Sequence, residues 1–130
     1  MIAPMRLAQP GILQSVPGHA RYLFFSHIPD TDATPSLKHL QSLADGEHIV
    51  VGLGQSLLKR LDVDIKGMAE MPVFSGAALE VPSTPASLWV WLRGEDRGDL
   101  VHLSLQVKHA LAEAFELHNA IDAYRHRDSR

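Results

Sequence analysis

Histidine is the residue type with most chemistry to offer in this 130-residue chain, which carries eight histidines and no cysteine. His102 and His109 fall near one side of a helical stretch with Glu113 close by, a donor set of the kind that holds a metal ion. Seven residues of helix separate the two imidazoles by about 10.5 Å along the axis. That is too far to share one ion at bond lengths of about 2 Å, so they read as surface histidines. His118, beside Glu116 and Asp122 on the even-numbered side of the last predicted strand, resembles an acid/base group. No third residue at a fixed spacing orients it for proton transfer.

Gly52-Leu53-Gly54 lies where a strand turns into a helix, the place where glycines let backbone N–H groups approach a phosphate. The third glycine of a dinucleotide fingerprint is missing, because position 57 is Leu57, and no Gly-Lys-Ser/Thr follows. A plain turn is the better account. Ser75-Gly76 and Ser83-Thr84-Pro85 lack any nucleophile-elbow pattern. The residues therefore nominate no catalytic, cofactor-binding or metal-ligating position.

The elements that would position such groups are more legible. Hydrophobic residues make up 45% and charged residues 21%, a globular balance in a chain long enough for one domain with a real core. A net charge of −3 gives no electrostatic reason to expect nucleic acid. The one basic cluster, Arg125-His126-Arg127 with Arg130, contains Asp128 and reads as a solvated chain end. Protonating all eight histidines would move the formal charge from −3 to +5, so surface charge should change strongly at mildly acidic pH. The absence of cysteine rules out disulfides and thiolate chemistry and fits a reducing cytoplasm. Met1-Ile2-Ala3-Pro4-Met5-Arg6 lacks the apolar core of a signal peptide, and no run approaches a membrane span. The expectation is a soluble cytoplasmic protein.

Residues 1–20 hold Pro4, Pro10, Gly11, Pro17 and Gly18 and predict an extended lead-in. Arg21 to His27 is an aromatic-rich strand ending at Pro29-Asp30. Thr34-Pro35 predicts a capped helix start, with Leu37, Leu40 and Ala44 at helical spacing and Gly46 as terminator. His48 to Leu53 is the second strand, followed by a short helix from Ser56 to Leu61. Residues 62–87 form a long connection, expected to lie over the domain. Ser87 to Arg93 is the third strand, closed by Gly94. Asp96 caps a helix whose stripe is Leu100, Leu103, Val107, Ala110, Leu111 and Ala114. The last strand runs from Phe115 to Tyr124, with Phe115, Leu117, Ile121 and Ala123 expected on one face.

This order predicts an α+β, ferredoxin-like βαββαβ domain: four antiparallel strands with two helices on one face. The other face should then be polar. Yet Leu88, Val90 and Leu92 oppose Trp89 and Trp91, and Leu23 and Phe25 oppose Tyr22 and Phe24. Both faces are apolar. Leaving such aromatics in water would forgo roughly 1.5–3 kcal/mol each, so the second face needs a covering layer, supplied by a partner or by the long connection.

Several segments form a series along the chain: Gln9-Pro10-Gly11-Ile12, His19-Ala20-Arg21-Tyr22-Leu23 and Ile49-Val50-Val51-Gly52-Leu53-Gly54. Phe74-Ser75-Gly76, Val81-Pro82-Ser83-Thr84-Pro85 and Leu88-Trp89-Val90-Trp91-Leu92-Arg93-Gly94 follow. Asp96-Arg97-Gly98 and Ile121-Asp122-Ala123-Tyr124-Arg125 complete the set. In series, these segments resemble the N-terminal half of a dye-decolourising (DyP-type) haem peroxidase.

The resemblance implies two ferredoxin-like halves joined as a dimeric α+β barrel, with haem b mainly in the second half. It implies peroxide-dependent one-electron oxidation of dyes and other reductants in the complete protein. The family's Gly-x-x-Asp-Gly motif does not occur here, and none of the eight histidines matches the iron ligand. No catalytic residue carries over. The implied state is a chain without its C-terminal haem domain, inactive alone, binding no haem firmly. Its partner would be that domain or a second copy over the open face. Tyr22, Trp89, Trp91 and Tyr124 are oxidisable, but a core or interface role suits them better. The other readings are a stand-alone dimer enclosing haem or a small ligand, and a purely structural interaction module.

Overall fold

The computed structural model describes residues 8–128. The Met1–Arg6 stretch of the lead-in, and Arg130 of the basic cluster, lie outside the described residues.

Among the described residues ten elements follow one another: α1 (Pro10–Leu13), β1 (His19–His27), α2 (Thr34–Leu43), β2 (Ile49–Leu53), α3 (Gln55–Arg60), β3 (Phe74–Ser75), β4 (Glu80–Val81), β5 (Leu88–Gly94), α4 (Arg97–Leu111) and β6 (Phe115–Tyr124). The main sheet has the order β2-β5-β1-β6, antiparallel throughout, and β3-β4 is a separate two-stranded ribbon. This is the ferredoxin-like arrangement that the element order predicts.

The core lies between one sheet face and the helices. Leu23, Phe25, Leu88, Val90, Leu92 and Ile49 point into it from the strands. Leu40, Leu57, Leu100, Val107 and Leu111 meet them from α2, α3 and α4. The α4 stripe works as its spacing predicts, and its cap does too: the Asp96 carboxylate accepts from Asp99 N–H at 3.1 Å.

Several local expectations need correction. The lead-in is not wholly extended, because α1 forms one helical turn with Pro10 at its start, where proline costs no hydrogen bond. Thr34 does not cap α2; it is already helical, and Asp32 Oδ1 accepts its N–H at 3.0 Å. Gly46 does not end that helix, which closes with Ala44 N–H on Leu40 O. At φ +73°, Gly46 makes the turn into β2, donating to Ile49 O at 3.0 Å.

The long connection does not lie over the domain. From Asp62 to Pro82 only Met68 is even partly buried, and Phe74 and Leu79 are 56% and 72% exposed.

The most consequential correction is in β6. Its pairing with β1 shifts between Phe24 and Phe25, which face Asn119 and Leu117, so His118 is an extra residue in the ladder. Such a bulge reverses the side-chain alternation beyond it. Phe115 and Leu117 share the helix face with their partners His27 and Phe25. Ile121 and Ala123 lie opposite Tyr22 and Ala20 on the other face. The predicted single apolar face of the last strand is therefore split in two.

Candidate functional site

The second face of the sheet carries an aromatic cluster built by two adjacent strands, β1 and β5. Cross-strand register sets Tyr22 opposite Trp91 and Phe24 opposite Trp89, and partners in an antiparallel pair project to the same side. The Tyr22 ring stacks with Trp89 at 5.9 Å and with Trp91 at 6.1 Å between centroids. Trp89 and Trp91 are 6.2 Å apart. All four aromatics are only partly buried, and Tyr22, Trp89 and Trp91 cover one another. The two-faced reading of β1 and β5 thus describes the face, and the exposed connection adds no cover to it.

Gly52 faces the same side, opposite Trp89. A Cβ there would come within 3.1 Å of Trp89 Cε3, so the glycine leaves room for the indole. Gly54 is needed for a different close approach: a Cβ would sit 2.0 Å from Ala86 O, and its N–H donates to Ser87 O at 2.8 Å. Both glycines of the supposed phosphate turn are explained by packing.

Arg93 is the residue that sequence reasoning missed. It ends the odd-numbered run Trp89, Trp91, Arg93 and is 5% exposed, with its guanidinium 4.9 Å from the Trp91 ring centre. It donates to Gln14 Oε1 at 2.9 Å, to Glu47 O at 3.2 Å and to Ser15 O at 2.7 Å. One side chain thereby pins the lead-in across the end of the aromatic face. The signal was the alternation itself, which puts the arginine beside two tryptophans. Between lead-in and sheet runs a groove of about 330 Å³, walled by Ile12, Val16, Tyr22, Trp91, Arg93 and Tyr124.

The structure scatters the predicted histidine sites. His102 and His109 are exposed on α4, and His109 and Glu113 face a surface cleft beside His39. Among the described residues no group of three or more potential metal ligands comes together. Glu116 lies opposite Ser26 on the open face, whereas Asp122 lies opposite Arg21 on the helix face, so the bulge separates the presumed partners of His118. The His118 ring lies 6.4 Å from Phe24. No histidine lines the groove. His27, whose Nδ1 is buried without a partner among the described residues, sits edge-on to Phe115 at 5.4 Å.

Two carboxylates are tuned by their neighbours. Asp45 is pushed up by burial, but N–H groups of Ile49, Glu47 and His48 and the His48 ring outweigh this and hold it at about 2. Asp122 lies below the usual carboxylate range, chiefly because Arg21 Nη1 donates to it at 2.7 Å, with Arg97 Nη2 adding a second bond at 3.0 Å. Both are structural ties. Neither faces the groove.

No protein-family model and no curated sequence matches the chain. Solved structures do. DyPB from Rhodococcus jostii RHA1 is similar with a TM-score of 0.78 and 20% identity, over 92% of this chain and 44% of that one. A variant of the Rhodococcus protein in complex with heme gives 0.77 and 18%, over 92% and 44%. A dye-decolorizing peroxidase from Bacteroides thetaiotaomicron VPI-5482 gives 0.74 and 14%, over 88% and 42%. The chain spans less than half the length of each. It therefore has the fold of one part, somewhat under half, of a dye-decolorizing peroxidase.

Proposed function

We propose that this chain is the N-terminal domain, or a truncated form, of a DyP-type haem peroxidase, and that it is inactive alone. The observation that carries the reading is the asymmetry of coverage: about nine-tenths of this chain superposes on little more than two-fifths of those proteins. The partly covered aromatic face of Tyr22, Phe24, Trp89 and Trp91 supports it, since a second domain would complete the burial. In the complete protein, haem b would supply peroxide cleavage and one-electron oxidation of dyes and other reductants.

The groove of this chain does not by itself fit the haem of a peroxidase, which is held by a proximal histidine. The groove beside the aromatic cluster offers two tyrosines, a tryptophan and two arginines but no imidazole to bind the iron. The chain's own contribution is to present an apolar wall, with room for Trp89 left by Gly52 and one end closed by Arg93. We place the protein in the cytoplasm on its lack of cysteine. No helix among the described residues is long and apolar enough to cross a membrane.

Hemin titration of the purified chain, followed by its Soret band and by dye oxidation with peroxide, tests this. The expected result is weak, non-stoichiometric uptake without turnover. Co-expression with the C-terminal half of a DyP-type peroxidase should quench Trp89 and Trp91 exposure and yield a complex. Turnover from the 130-residue chain alone would overturn the assignment of the working half to another domain.

A further inference from the structure

The two edges of the main sheet are treated very differently. At the β2 edge, Arg93 N–H donates to His48 O and Gly54 N–H to Ser87 O, so even-numbered residues pair inward and Ile49 and Val51 face outward. All four outward groups of these two residues are satisfied. Ile49 N–H donates to Asp45 Oδ1 at 2.9 Å and Ile49 O accepts from Gly46 N–H at 3.0 Å. Val51 N–H and O pair with the two ends of the Gln9 carboxamide at 2.9 and 2.8 Å. No further strand can add there without displacing them.

Among the described residues the β6 edge has no such cover. Arg125 N–H donates to Gly18 O, which makes Asn119, Ile121 and Ala123 the inward-pairing residues. Ala120, Asp122 and Tyr124 therefore direct their main-chain N–H and C=O groups away from β1. No other strand pairs with them among the described residues. Beside this edge Ile121 is 45% exposed and Tyr124 is 76% exposed.

We propose that β6 is the self-association edge of this protein, pairing antiparallel with β6 of a second copy about a two-fold axis through Ile121. The register selects the occupant. With Ile121 facing Ile121 of the second copy, Ala120 faces Asp122 and Asn119 faces Ala123. Ala120 and Asp122 then exchange main-chain hydrogen bonds, no like charges are opposed, and the exposed isoleucines meet as a close non-hydrogen-bonded pair. The neighbouring registers of the same parity are worse. Centring on Asp122 opposes two carboxylates, and centring on Ala120 brings the bulged His118 within two residues of the axis, against Asp122, whereas the Ile121 register meets it only at Tyr124, the last residue of the strand. Because Tyr22 lies opposite Ile121 in β1, the two aromatic faces become one continuous surface across the seam. This pairing uses the edge rather than the face, and it stands independently of the peroxidase reading.

Sedimentation of the 130-residue chain, which contains no cysteine, reads the association directly, and Ile121→Cys reads its register. On the axis the introduced thiols lie at a separation of about 4.5 Å between Cα atoms, within the disulfide range. The expected result is a dimer that Ile121→Cys crosslinks under mild oxidation and that Asn119→Cys does not. Ala120→Pro, which removes an N–H that β1 does not use, should weaken the dimer on the order of tenfold or more while leaving the circular dichroism of the monomer unchanged. A chain that stays monomeric at high concentration would overturn the proposal. So would a dimer that withstands Ala120→Pro, or one that crosslinks equally through position 119.

Discussion

The side chain of Gln9 does the work of a fifth strand for Val51. Its Nε2 donates to Val51 O at 2.8 Å while its Oε1 accepts Val51 N–H at 2.9 Å, across forty-two positions of sequence. A residue of the lead-in thus closes the free edge of β2, and Gly11 N–H on Gly46 O at 2.7 Å seats the same segment.

Gln9→Ala should cost about 1–2 kcal/mol, because two main-chain groups lose partners in a partly buried place. The midpoint of urea unfolding measures it. The variant should also aggregate faster, since it exposes a strand edge. A midpoint equal to that of the parent would show that water replaces the carboxamide fully.

Arg93→Met keeps much of the side-chain volume but leaves Gln14 Oε1, Glu47 O and Ser15 O without their donor. A loss of about 2–3 kcal/mol is expected, with a shift in tryptophan emission as Trp91 loses its stacked cation. Arg93→Lys should recover little, since an ammonium cannot span three acceptors as the guanidinium fork does.

The two glycines should respond unequally. Gly52→Ala meets only the edge of a tryptophan ring and should cost about 1 kcal/mol, with altered Trp89 fluorescence. Gly54→Ala meets backbone at Ala86 O, which yields less readily, and should cost about 3 kcal/mol. Thermal unfolding ranks them. Equal losses would contradict the packing account.

Asp45 makes stability depend on pH. Its folded value is lowered from 3.8 to about 2, so its contribution is fully present above the unfolded value and is lost as pH falls through that window. Urea midpoints measured from pH 5 down to about pH 2 should fall in the parent. They should fall less steeply in Asp45→Asn, which starts lower but no longer titrates. Asp122 adds to the slope in the same direction through Arg21 and Arg97.

Features set by neighbours in the chain were legible in the residues. The Asp96 cap, the α4 stripe and the aromatic alternation of β1 and β5 all depend on spacing within one element, and spacing is what a sequence displays. Gly46 shows where this stops. Its left-handed turn was signalled by its type, but whether it ends a helix or begins a strand depended on Asp45 reaching Ile49.

The sequence by itself determined that this chain builds a four-stranded sheet with two helices and an aromatic second face. Hydrophobic period and turn chemistry are local properties, and they suffice for that. Tertiary structure alone decided three things. The extra residue at His118 sent Ile121 to the open face and Asp122 to Arg21, because a bulge exists only relative to the partner strand. Arg93 became a clamp because Gln14 and Ser15 come back beside it from far along the chain. The β2 edge was closed at Ile49 and Val51, and the β6 edge left open among the described residues, because hydrogen bonds to an edge come from whatever segment folds next to it, a fact that no spacing records.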